Sequence, residues 1–438
     1  MSSKAFLLQE CENVRDLLEN TLRHDYGVDS SRHFFDECST RLGSLESEIA
    51  ATLETDVSML STLGRFLSEL AELICRIERS SLGEYSWPFV EELKRISSAV
   101  CRESTLYNSN SNPHVYVFAE GGLSSYAIYT EVGRPSFCQQ RLLTIVFPKS
   151  LKNFVLLHPI LGHELGHAIW QVSKHRMSLK TQVINHLTRI GGVFQDPDST
   201  AAHLYSKSAP HEFQAAMAKY KGLNQATIFG KVDWGAWIEE ILCDLIGLVM
   251  FGPGFVAAHC RLLYTVEPSG IQLGPRHPLV AWRVNMILRG AKLLGYDRLP
   301  RSGSATRDPV ERFWKYLETF GKTDPWFDVL PDPQLADALR GIKSILTAHA
   351  PAAYPLPTEG RISALFEKLV RLLPPVGSII GRDSKPKIVD IDFRHIIYAG
   401  WIATLHDGIP FKRINQLCEH AIMQQRAIQL SLRPKANT

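Results

Sequence analysis

The sequence predicts an α+β fold, mostly helical, in which a small sheet and one active helix form a core between flanking helical regions. Three observations carry this. Residues 1 to about 105, and again those beyond Pro309, place apolar residues at three- and four-residue spacing, as helices with one buried face do. Between 115 and 148 the pattern changes to short β-branched and aromatic runs, the composition of strands. Two strongly apolar helical stretches, 151–172 and 233–254, then carry histidines and carboxylates four residues apart.

Taken in order, FLLQECENVRDLLENTL, HFFDECSTRLGSLESEIAATL and VSMLSTLGRFLSELAELICRIE predict a helical bundle that packs on the rest of the chain. NSNSN, at Asn108–Asn112, is a polar break that marks a boundary. VYVFAE, SYAIYTEVG and LLTIVFP read as strands. LKNFVLLHPILGHELGHAIWQV is largely helical, with the active helix beginning at Pro159 and the proline in its first turn. Residues 175–230 read as a polar, partly helical insertion, with DPDST at 196–200 a turn or helix start. DWGAWIEEILCDLIGLVMFGPG is a helix stopped by Gly252, Pro253 and Gly254. These breaks divide the chain into a helical region 1–107, a core 108–300 and a helical region 301–438.

Bulk properties exclude several classes. The net charge is +3, from 48 basic and 45 acidic residues, so no charge excess points to nucleic acid or a membrane surface. The N-terminus lacks the pattern of a secretory signal. The most apolar window, Ile241–Ala258, contains Asp244 and three glycines and reads as a buried core helix running into a loop rather than a membrane span. Eight cysteines are scattered without a CxxC pair, the usage of reduced thiols in a cytoplasmic protein.

HELGH occupies 163–167. On a helix His163 and His167 project from one face, where a tetrahedral zinc can take both, and Glu164 lies beside them as a general base for a metal-activated water. The third ligand separates the classes of such sites. HExxHxxGxxH is excluded because position 170 is Trp and 173 is Ser. A deformylase-like cysteine is excluded because Cys138 sits in PSFCQQ. A glutamate followed four residues later by aspartate is the gluzincin arrangement, and EEILCDLIG supplies it with Glu240 and Asp244. Glu240 completes the ligand set, and Asp244 accepts a hydrogen bond from a ligating histidine, His163 first. Glu239 is rotated about 100° away on that helix and is not the expected ligand. Acidic groups on a helix this apolar are costly without partners, and a metal is one such partner.

HELGH, WIEEILCDLIGL and RHPLVAWR together resemble the gluzincin zinc metallopeptidases, whose core is thermolysin-like. Their order is similar to the CAAX prenyl protease type and its heat-shock membrane relatives. The motifs span 163–283, about a third of the chain, and depart from those relatives in having no membrane span. The resemblance implies peptide hydrolysis, His277 and Arg283 as oxyanion donors, and substrate binding by β-addition to the strand beside the active helix. Tyr264 is a further donor candidate. Two other readings stay open: a zinc-site scaffold whose helical flanks bind a protein partner, with peptidase activity absent or gated, and a helical interaction protein with a chance motif.

Overall fold

A computed structural model describes residues 3–22, 29–78, 87–100, 114–119, 127–131, 142–151, 153–171, 233–268, 276–300, 308–321, 330–349, 352–376, 379–380, 387–388 and 391–431. The chain forms two compact units, Met1–Lys152 and Asn153–Thr438. The three-way division at 107 and 300 remains a reading of composition, and NSNSN and the 175–230 insertion lie outside the described residues.

In the first unit α1 (Ser3–Leu22), α2 (Asp29–Ala51) and α3 (Val57–Glu78) pack on one another around Cys11, Leu18, Leu42, Ile49 and Leu63. Lys4 Nζ donates to the carbonyls of Ala50 (2.6 Å) and Thr52 (2.9 Å), a cation placed where the end of α2 leaves carbonyls unpaired. Asp56 starts α3 by accepting from Met59 N at 3.0 Å. Then α4 (Trp87–Val100) packs on β1 of a three-stranded sheet. β1 (His114–Ala119) runs parallel to the central β3 (Leu142–Phe147), and β2 (Ala127–Glu131) runs antiparallel to it on the other side.

The second unit opens with a 3₁₀ turn, His158–Ile160, that holds Pro159. α5 (Leu161–Gln171) follows, so the helix that carries HELGH starts two residues after Pro159 rather than at it. The turn removes the clash a proline makes inside a helix. α6 (Trp234–Phe251) begins at Asp233, whose carboxylate accepts from Ala236 N, and ends at Gly252 with φ +60°. α7 (Pro253–Val266) starts at once, with proline in its first turn; no loop intervenes where one was expected. α8 (Val280–Leu293), α9 (Asp308–Glu318), α10 (Asp332–His349), α11 (Glu359–Val370), α12 (Phe393–Ala403) and α13 (Phe411–Ser431) follow.

The α+β, thermolysin-like core is corrected: the fold is a helical one. The three strands belong to Met1–Lys152, whereas HELGH and EEILCD belong to Asn153–Thr438. There the only strands among the described residues are the two-residue β4 (Ile379–Ile380) and β5 (Lys387–Ile388). The physical reason is α6. From Glu240 to Phe251 every residue is buried, and a helix apolar on all faces must be covered on all sides. Helices α5, α7, α8 and α10 all pack on it. Its last carbonyls are satisfied from outside: Tyr354 N donates to Val249 O, and Arg394 Nη1 donates to Met250 O at 2.7 Å. Among the described residues no helix is long and apolar enough to cross a membrane.

Candidate metal centre

α5 and α6 cross antiparallel and unusually close, and two glycines permit it. A Cβ on Gly166 would lie 2.6 Å from Cys243 Cα, and one on Gly162 would lie 2.9 Å from Gly247 Cα. The backbones therefore touch where any side chain would hold them apart. His163 and His167, one turn apart on α5, are brought against Glu239, Glu240 and Asp244 of α6.

His163 Nε2 lies 3.5 Å from Glu240 Oε2, and His167 Nε2 lies 3.5 Å from Glu240 Oε1. The three side chains offer ligand atoms within 4.8 Å of one another. Two ligands each about 2.05 Å from one tetrahedral zinc are themselves about 3.3 Å apart, so the spacing fits that ion. The other ring nitrogens explain the orientation. His163 Nδ1 lies 2.8 Å from Asp244 Oδ1, and His167 Nδ1 lies 2.8 Å from Glu239 Oε1. An ionised carboxylate only accepts, so each Nδ1 carries a proton and each ring directs its Nε2 toward the Glu240 carboxylate, with a lone pair there whenever the ring is neutral. Nitrogens and a carboxylate converging in a largely buried place form a donor set that fits a cation.

Asp244 is fully buried and ringed by donors. Arg283 holds it with two bonds, Nε to Oδ2 at 2.8 Å and Nη2 to Oδ1 at 2.7 Å, while His259 Nε2 lies 2.8 Å from Oδ1. Arg283 Nη1 also reaches Glu240 Oε2 at 3.2 Å. Asp244, His163 and His259 form a second cluster of ligand types, but the guanidinium sits among them, with Nη2 3.5 Å from His163 Nδ1 and 3.4 Å from His259 Nε2. That cluster already has its cation.

The electrostatics follow from burial and partners. Burial pushes His163 down to about 4 against the pull of Asp244, which leaves the ring neutral at ordinary pH. Burial would also lower His167, but its bond to Glu239 and the carboxylates of Glu164 and Glu240 leave it raised. Asp244 would be raised by burial; Arg283, His259 and His163 outweigh this and hold it well below the usual carboxylate range. Burial pushes Glu164 up to about 7, with the Glu240 carboxylate adding to the rise and His167 opposing it.

The structure thus brings together His163, Glu164, His167, Glu240 and Asp244 from the crossing of α5 and α6 with Arg283 from α8; Glu164 and His167 are part-buried and the others buried. His277 lies at its open side, with its side chain 68% exposed and Nε2 3.6 Å from Glu240 Oε1. It does not cap the following helix, whose N-cap, Leu279, makes no side-chain bond. Tyr264 is elsewhere engaged, its hydroxyl donating to Phe320 O at 2.8 Å. Sequence reasoning missed Glu239 and His259. For Glu239 a signal existed: once Asp244 is paired with His163 across antiparallel helices, the residues four and five positions earlier on α6 fall beside His167. For His259, which returns from α7, no local spacing gives the contact. Comparison with protein-family models, with curated proteins and with solved structures gives no match.

Proposed function

We propose that the chain is a zinc-dependent peptidase that hydrolyses peptide bonds, with His163, His167 and Glu240 as metal ligands and Glu164 as general base. The observation that carries this reading is the pair of Nε2 lone pairs turned onto one carboxylate, each ring locked from behind by a second carboxylate. When bound, zinc supplies a Lewis acid that polarises a carbonyl and acidifies water. The chain's own residues do the rest. Glu164, with its carboxyl pushed to about 7 by burial, is suited to take a proton and return it to a leaving amine near neutral pH. Arg283 is committed to Asp244 and Glu240, which favours a positioning role over donation to substrate. His277, exposed beside Glu240, is the candidate donor to a developing oxyanion. A peptide or protein is the substrate in this reading. A cytoplasmic location goes with the scattered cysteines of the sequence, none in a CxxC pair.

The test is metal analysis of the purified protein together with Glu164→Gln. The expected result is about one zinc per chain in both proteins, with peptide cleavage lost only in the variant. Zinc retained with no cleavage of a peptide library by the wild type would turn the reading to a zinc-site scaffold. No metal at all would end both. His277→Ala should lower turnover roughly a hundred- to a thousandfold with zinc content unchanged.

A further inference from the structure

The two histidines of the centre are held in unlike ways. The Asp244 that backs His163 has no exposure and is already engaged by Arg283 and His259. The Glu239 that backs His167 is 29% exposed, beside a ring that is 25% exposed. Among the described residues no lysine or arginine pairs with Glu239.

We propose that Glu239 is a positioning residue for the metal: it fixes His167 with Nε2 toward Glu240 and adds a negative charge behind that ligand. The inference rests on the zinc reading above. Two arguments support it. The first is geometric. Glu239 and Glu240 are consecutive on α6, so one turn of one helix carries both a ligand and the group that aims the ligand opposite. A ring one-quarter exposed and without Glu239 can rotate or take its other tautomer, which turns the lone pair away. The second is electrostatic. Arg283 lies 3.2 Å from Glu240 and puts a positive charge beside a candidate ligand. Asp244 cancels that charge, and Glu240 cancels one of the two on a divalent ion. Glu239 and Glu164 are the carboxylates left to face the other, and of the two only Glu239 is bonded to a ligand ring.

A purely structural role predicts something different. A partly exposed Glu–His contact adds little to folding stability, so the metal-free protein should barely register its loss. The experiment uses the full chain as wild type, E239Q, E239A and E240Q. It measures zinc affinity by chelator competition, the visible spectrum of the cobalt-substituted protein, and the melting temperature of the metal-free protein. The expected result is a loss of zinc affinity of roughly ten- to a hundredfold in E239A, with an altered cobalt spectrum and an unchanged metal-free melting temperature. E239Q keeps an acceptor oxygen without the charge and should fall between, while E240Q should lose more than either. Wild-type affinity and spectrum in E239A would overturn the inference. So would a metal-free melting temperature lowered as far as that of the zinc-loaded protein, because Glu239 would then be holding the fold. If the wild type itself binds no zinc, the zinc reading fails first and takes this inference with it.

Discussion

The bundle of α1, α2 and α3 and the crossing of α5 with α6 are both helix packings, yet they treat charge in opposite ways. In the bundle, apolar residues such as Leu42 and Leu63 face inward, while ions such as Arg65 and Glu69 pair outside, at 57% and 64% side-chain exposure. At the crossing the ions are inside: Asp244 has no exposure and Arg283 has 5%. Water solvates the first kind of charge, so its partner is optional. Only protein solvates the second kind, so each partner is obligatory. The difference separates a packing that specifies a shape from one that specifies a site.

The sharpest way to break the comparison is to remove one obligatory partner. Arg283→Met should cost about 3–5 kcal/mol, because it leaves Asp244 buried and uncompensated. Removing both charges in R283M/D244N should return part of that loss; denaturant midpoints of the metal-free proteins measure it. A change under about 1 kcal/mol in R283M would place Asp244 with the optional charges of the bundle.

Next in size is Gly166→Ala. Its Cβ meets backbone, Cys243 Cα at 2.6 Å, so the helices must separate. About 1–3 kcal/mol of stability should go, and zinc affinity should fall with it because all three candidate ligands span the crossing. Unchanged zinc affinity would mean that the close approach is not what sets the ligand spacing.

A smaller effect concerns pH. His167 is raised and His163 is lowered to about 4. A proton competes with the metal for Nε2, so zinc affinity should fall as pH drops through the pKa of His167, while His163 stays neutral until about pH 4. The slope above that pH should be that of one histidine proton, at most about tenfold per pH unit. Titrations of zinc affinity from pH 8 to 5 read this directly, and a two-histidine slope would contradict the inequality of the two rings.

The smallest change belongs to the bundle. Arg65→Ala should shift stability by no more than about 0.5 kcal/mol, since the pair it breaks is exposed. Thermal melts settle it, and a loss above 1 kcal/mol would blur the contrast from the other side.

Much of the centre was legible because helical spacing is local arithmetic. HELGH and EEILCD each put two functional groups on one face whatever surrounds them, and the apolar flanks of α6 imply burial. The stop at Gly252 was legible for the same reason. What lies between helices was not. Glu239 was read as turned away, which is true of α6 alone and irrelevant once His167 arrives from the antiparallel α5. Arg283 was expected to face substrate; its spacing from His277 could not reveal that Asp244 takes two of its donors. The strands before HELGH were read correctly as strands and wrongly as part of its core. Periodicity gives the type of an element and says nothing of which compact unit it joins.

Gly252 has a consequence for the order in which the centre assembles. With φ at +60° and helices on both sides, it folds α7 back so that His259 meets Asp244 across only 15 residues of chain. The contacts of His163 and His167 with the same helix span 81 and 72 residues. Loop closure costs more as the loop lengthens, and local contacts form sooner. On that ground the corner of α6 and α7 should form before α5 docks on it. Substitutions at His259 should slow folding, whereas substitutions at His167 should mainly speed unfolding.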